Sequence, residues 1–115
     1  MKTVTEQEPV SMELLHELAA ARFGDMVKAV VDVARGIMVI DAELHSDEEA
    51  ELLASGSRQK DLWGINLYPD LPLQDWLEYD SMINLRPSFG NRSRGVDDNS
   101  VRDLIRAVVD RLVSR

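Results

Sequence analysis

The residues best suited to chemistry in this chain crowd into one stretch, Asp61 to Asp98. It opens DLWGINLYPD, closes DWLEYDSMINLRPSFGNRSRGVDD, and holds both tryptophans, both tyrosines and Phe89. Between Asn84 and Val96 it carries Arg86, Arg92 and Arg94 with no acid, in a chain of net charge −8. Arginines in a glycine-bracketed loop, Gly90 to Gly95, ahead of a helix start can hold an anion, because guanidinium forks, free amides and the helix dipole converge there. Asp97 and Asp98 oppose this reading, since acids already occupy the positive end of that helix. In the competing role the arginines clamp their own fold by pairing with Asp80, Asp97, Asp98 or the acids of the sheet face. Asn66 and Asn84 give a second signal. Asparagine is disfavoured in strands, so an amide at a strand position has something to hydrogen-bond, whether a ligand, a partner or a neighbouring loop. The candidate ligand- or anion-binding set is therefore Asn66, Asp80, Asn84, Arg86, Arg92 and Arg94.

Other chemistries find less support. Cysteine is absent, which removes disulfides, thiolate metal sites and a cysteine nucleophile. The two histidines, His16 and His45, stand apart from any serine–acid arrangement. Glu43, His45 and Asp47 alternate as metal ligands can, but they run into a helix start, and no metal or cofactor is expected. Asp32, Asp41 and Asp80 could gather as carboxylates around a divalent cation, although no spacing rule selects them. There is no glycine-rich phosphate loop. Trp63, Trp76 and Phe89 suit core or core-edge positions better than a stacking platform for bases.

The elements that must position these residues follow from periodicity. Residues 1–9 are polar, end in proline and read as a flexible lead-in to a single domain over 10–115. Ser11 caps a helix over Met12–Phe23, with Gly24 at its end and Leu14, Leu15 and Leu18 as its stripe. From Met26 the period is two, and Arg35-Gly36 reads as the tip of a two-residue hairpin. That loop pairs Ala34 with Ile37, Val33 with Met38, Val31 with Ile40 and Ala29 with Ala42. Ser46 to Glu49 spells a capping box for a short helix with Ala50, Leu53 and Ala54 inward. Leu62–Tyr68 is a third strand with Trp63, Ile65 and Leu67 inward. Trp76–Arg86 holds a fourth, ended by Pro87. Asp98 caps a last helix with the stripe Val101, Leu104, Ile105, Val108 and Leu112. The order α-ββ-α-ββ-α predicts a two-layer α+β domain, a four-stranded, mainly antiparallel sheet with helices on one face. Its open face would gather Lys28, Asp32, Asp41, Glu43, Asn66, Tyr68, Asp80, Asn84 and Arg86, either as a solvated surface or as a binding surface.

The strings FGDMVKAVVDVARGIMVIDAELHSDEEA, DLWGINLYPD, WLEYDSMINLRPS and NRSRGVDD are similar to those of the domain-of-unknown-function 5674 family of small prokaryotic proteins. The resemblance runs from about Met12 to Leu112. It implies one compact prokaryotic domain and draws attention to Asp80–Val96, and it carries no catalytic roles.

The expected function is a non-enzymatic binding domain that uses the polar sheet face and the Arg86–Gly95 loop for a protein partner or a small anion. The alternative is a small enzyme or binder of a phosphate-containing ligand, with the arginines neutralising charge and Asp80 as base or metal ligand. Acidity disfavours nucleic acid and anionic membranes, no apolar run approaches a membrane span, and the opening MKTVTEQEPV lacks a secretory apolar core. The expected location is cytoplasmic. Self-association as a homodimer is compatible with two exposed sheet edges.

Overall fold

The alternating runs build one five-stranded sheet in the computed structural model, which describes residues 1–115. In chain order the elements are β1 (Lys2–Val4), β2 (Val10–Ser11), α1 (Met12–Arg22), β3 (Val27–Asp32), β4 (Ile37–Ile40), α2 (His45–Ala54), β5 (Leu62–Leu67), β6 (Leu77–Glu78), α3 (Asn99–Leu112) and β7 (Val113–Ser114). Turns of 3₁₀ helix occupy Gln59–Asp61, Met82–Asn84 and Pro87–Phe89. The sheet order is β1-β4-β3-β5-β6 with every pairing antiparallel, and a parallel pair joins β2 to β7. The α+β class and the single domain are as the sequence predicts, with five strands in place of four.

Local signals place the helix ends well. The Ser11 hydroxyl accepts from the Leu14 amide at 3.0 Å, and Gly24, at φ +96°, donates its amide to Ala19. The Asp98 carboxylate accepts from the Ser100 amide at 2.8 Å. The capping box at Ser46 does not form. The helix starts two residues earlier, at His45 after Leu44, with no side-chain cap.

Two corrections concern layers. Helices cover both faces of the sheet, not one. Ala29, Val31, Met38, Ile40, Ile65 and Leu67 pack against α1 and α3, while Val30, Val39 and Leu62 point the other way and pack under Leu52 of α2. Those three apolar side chains make half of the supposedly polar face hydrophobic, and α2 removes it from water. Leu52 is the inward residue, and Leu53 stays exposed. The second correction is the N-terminus. Lys2–Val4 pairs with β4 in the register Thr3↔Val39, and Val4 is fully buried. The chain start satisfies a sheet edge that would otherwise be open.

The hairpin is offset from the two-residue loop. Its register is Ala29↔Ile40, Val30↔Val39, Val31↔Met38 and Asp32↔Ile37, leaving four residues in the turn. A shift of two keeps every side chain on its expected face. The cause is Asp32, whose buried carboxylate accepts from the Ala34 and Arg35 amides at 2.9 Å and from the Ser57 hydroxyl at 2.6 Å. Gly36 closes the turn at φ +68°.

Glu48 of α2 is fully buried. Its Oε2 accepts from the Ala42 amide at 3.0 Å, while Oε1 has no partner. Burial pushes its carboxyl up to about 9, so the folded protein keeps it protonated at neutral pH. The unfolded chain ionises it in the ordinary carboxylate range. The fold therefore binds more protons than the unfolded state between the two values, and stability falls as pH rises through that window. Glu48→Gln should abolish this component. Melting curves should show wild type losing stability from pH 5 to pH 9 and the variant losing much less.

Candidate functional site

The segment after β6 does not continue as a strand. Only Leu77 and Glu78 pair with β5, against Leu67 and Asn66. Further along, the exposed edge of β5 is completed by side chains. Asn84 is fully buried on a 3₁₀ turn, where its Oδ1 accepts from the Gly64 amide at 2.8 Å and its Nδ2 donates to the Gly64 carbonyl at 2.9 Å. A carboxamide has the donor and acceptor of a peptide unit, so it pairs with a strand as a neighbouring strand would. Arg86 continues the edge. Its guanidinium donates to the Leu62 carbonyl at 2.7 Å and to the Gln59 carbonyl, and it stacks 4.5 Å from the centre of the Trp63 ring. Asn91 secures the loop beyond, donating to the carbonyls of Asn84, Ser93 and Gly95 and accepting from the Asp97 amide. The expectation that Asn84 and Arg86 sit on a fourth strand is therefore corrected. The Asn84 carboxamide and both terminal nitrogens of Arg86 are spent on backbone, while Arg86 Nε is buried without a partner.

Gly64 makes this approach feasible. A Cβ there would lie 2.5 Å from Ser81 Cβ, so only glycine lets the 81–84 turn press against β5. In the arginine loop, Arg92 gives its amide to Asp97 and leaves its side chain exposed. The Ser93 hydroxyl and that amide hold the Asp97 carboxyl below the usual range.

Asn66, Asp80 and Arg94 come together elsewhere, on the half of the second sheet face that α2 leaves uncovered. A polar row crosses three strands there, Lys28 of β3 opposite Asn66 of β5 and Asn66 opposite Glu78 of β6. Asn66 Nδ2 donates to Glu78 Oε1 at 2.8 Å and to the Asp80 carbonyl at 3.2 Å. The Tyr68 hydroxyl donates to the same Glu78 oxygen at 3.0 Å, and burial together with that carboxylate pushes the phenol up to about 12. Arg94 Nε contacts Asp80 Oδ1 at 2.9 Å. Both side chains of that pair are about half exposed, so the ion pair adds little stability, about 0–1 kcal/mol, and is open to competition.

Beside this row lies a cavity of about 170 Å³ lined by Lys28, Leu44, His45, Ser46, Ser81, Met82, Ile83 and Arg94. Two residues outside the candidate anion-binding set therefore join the group. Lys28 makes no ion pair, and its ammonium lies 5.1 Å over the Phe23 ring centre. His45 opens α2 and is 8% exposed. Its Nε2 donates to the Ile65 carbonyl at 2.8 Å, and burial, outweighing that bond, lowers its pKa so that the ring is neutral at pH 7. Lys28 shares its strand phase with Asn66, a signal present in the sequence; the alternation of His45 with Glu43 and Asp47 points to a metal, and nothing local marks it for this cavity.

The larger cavities have different chemistry. One of about 530 Å³ is lined by Asp41, Glu43, Asp47 and Glu51 with Arg22, which is already bound to Asp41. Another, about 410 Å³, has Asp97 and Asp98 between Trp63 and Phe89. A third, about 280 Å³, contains Arg35 and Arg111, but Arg35 is held by Ser55 and Ser57 and Arg111 by Glu6. Glu43 and Asp47 thus face a different cavity from His45. Asp32, Asp41 and Asp80 likewise stay apart, and no three His, Asp or Glu side chains gather in a way that could hold a metal. Trp76 is fully buried in the core and Phe89 is exposed. No helix is long and apolar enough to cross a membrane.

A family model described as "Protein of unknown function (DUF5674)" matches residues 4–112. No curated protein and no solved structure matches the chain.

Two substitutions separate scaffold from surface. Asn84→Ala strands the buried Gly64 amide and carbonyl, at roughly 1–3 kcal/mol for each group left unpaired. Arg92→Ala should stay within about 0.5 kcal/mol of wild type. Urea unfolding measures both, and equal effects would contradict the assignment. Gly64→Ala should cost about 1–3 kcal/mol by overpacking against Ser81, visible as a lower unfolding midpoint at unchanged slope.

Proposed function

Because the chain belongs to the DUF5674 family, described only as a protein of unknown function, its role has to be argued from its own geometry, and we propose that it is a binding domain for a small oxyanion. The observation that carries this reading is the convergence of two cations, Lys28 and Arg94, with the uncapped first turn of α2 on one cavity. In a chain of net charge −8 such a local reversal of sign is costly to assemble without an anion to neutralise. Lys28 supplies a point charge with no carboxylate to satisfy it. Arg94 supplies a fork whose partner, Asp80, can be exchanged. The free amides at the start of α2 supply directional donors, aided by the helix dipole.

Size narrows the ligand. A drug- or nucleotide-sized molecule occupies roughly 300–1,000 Å³, and this cavity, about 170 Å³, suits a single phosphate- or carboxylate-sized group. Of the candidate residues, Arg94 contacts the anion, while Asp80 and Asn66 orient the surroundings. Asn84 and Arg86 hold the loop that brings Arg94 to the cavity, and Arg92 stands outside it.

The test is a thermal-shift and calorimetric titration of the whole chain with inorganic phosphate, sulfate and acetate at fixed ionic strength. A bound oxyanion should raise the melting temperature in a saturable way. Lys28→Ala and Arg94→Ala should each weaken binding about tenfold or more, with the ligand-free melting temperature little changed. The reading fails if no oxyanion binds at concentrations up to roughly 10 mM, or if both variants bind as wild type does.

A further inference from the structure

One buried acceptor next to the His45 ring has no donor. Asn66 is 5% exposed, and its Nδ2 protons are committed to Glu78 and the Asp80 carbonyl, while its Oδ1 is buried without a partner. His45 lines the cavity. A carbonyl oxygen can only accept, so the bond to Ile65 puts the ring proton on Nε2 and leaves the lone pair of the neutral imidazole on Nδ1. Asn66 lies next to that ring, but with its amide protons spent it offers it only an oxygen. The Asp80 carboxylate acts on the same ring by its charge. Of the residues lining the cavity, Lys28 and Arg94 provide positive donors and His45 provides an acceptor, with the unpaired Asn66 Oδ1 behind its ring.

We propose that this mixed set selects an oxyanion that still carries a proton, hydrogen phosphate, over a fully ionised one such as sulfate. The inference rests on the oxyanion-binding reading above. Lys28, Arg94 and the α2 amides take the charged oxygens, and the P–OH donates to His45 Nδ1. Sulfate has the same size and shape but only acceptors, so it sets lone pair against lone pair at His45 Nδ1. A buried hydrogen-bonding group left unpaired discriminates far more strongly than a small difference in volume.

The surroundings of His45 give the selectivity a pH dependence. Lys28 on β3 and the burial of the ring favour the neutral form. The Ile65 carbonyl and Asn66 on β5, together with Asp80 after β6, favour the charged one. Arg94 faces the cavity from the loop before α3. Once protonated, Nδ1 becomes a donor, and the barrier to sulfate falls.

Paired calorimetric titrations of the intact protein with inorganic phosphate and with sulfate, at pH 7.5 and at successively lower pH, test this. Phosphate should bind at least about tenfold more tightly at pH 7.5, and sulfate should gain affinity as His45 protonates. In ¹⁵N-edited spectra of the imidazoles, only two histidines need be assigned. The unprotonated Nδ1 of His45 should shift with phosphate and not with sulfate. If sulfate binds at pH 7.5 as tightly as phosphate, or if the His45 Nδ1 signal does not respond to phosphate, the selectivity is overturned while the oxyanion site stands. If neither anion binds at any pH, the site itself is refuted along with it. The spectral readout needs no substitution at His45, whose loss would also break the bond to Ile65.

Discussion

The pairing of the Asn84 carboxamide with both polar groups of Gly64 is the interaction on which the functional half of this molecule depends. β5 is fully laddered on its β3 side but meets β6 over only two residue pairs. An unpaired strand edge must be satisfied by something, because buried amides and carbonyls without partners are costly. Here one asparagine and one arginine finish the edge. That leaves the backbone of residues 79–97 free to turn away from the sheet and fold into 3₁₀ turns and a tight loop. Asn91, Ser93 and Asp97 then lock the loop internally, and Tyr79 and Arg102 tie it to α3. A regular fourth strand would have carried Arg94 away from Lys28.

The second constraint is how far α2 reaches. Its buried residue Leu52 meets Val30, Val39 and Leu62 at one end of the second sheet face. The other end, where the Lys28–Asn66–Glu78 row crosses the strands, is left to water and to the first turn of the helix. The boundary between covered and uncovered sheet is drawn by the change from apolar to polar side chains along β3 and β5. His45 sits on that boundary, so it is buried enough to stay neutral yet lines a cavity. Glu48, one turn on, lies wholly on the dry side, and its carboxyl is held protonated. Position along a single helix thus separates a group fit for ligand contact from one that only burdens the core.

Charge shows the same division between scaffold and surface. Arg86 is buried against Trp63 and bonded to two backbone carbonyls, so its guanidinium serves the fold. Arg94, eight residues later, keeps its head half exposed beside Asp80. Both are arginines in one acid-free run, and residue type does not separate them. What separates them is whether a carbonyl-bearing edge or a solvent-filled cavity lies within reach.

The sequence by itself determined what depends on neighbours a few residues away. The Ser11 and Asp98 caps, the glycine stop at Gly24, the inward phase of Ile65 and Leu67 and the α+β class all follow from spacing and side-chain chemistry. These signals act over one turn or one hairpin, and nothing distant competes with them. The tertiary structure alone decided the rest. Val4 becomes part of a strand only because β4 offers an edge. Asp32 lengthens its turn because Ser57 and the turn amides reward the carboxylate there. Leu52 rather than Leu53 turns inward because the apolar patch it must cover lies on the far side of the sheet. Asparagine at position 84 was legible as a residue in need of partners, but its partner, Gly64, is twenty residues away in sequence and is brought alongside only by the sheet. The meeting of Lys28, His45 and Arg94 is equally non-local, built from a strand, a helix start and a loop that no periodicity connects.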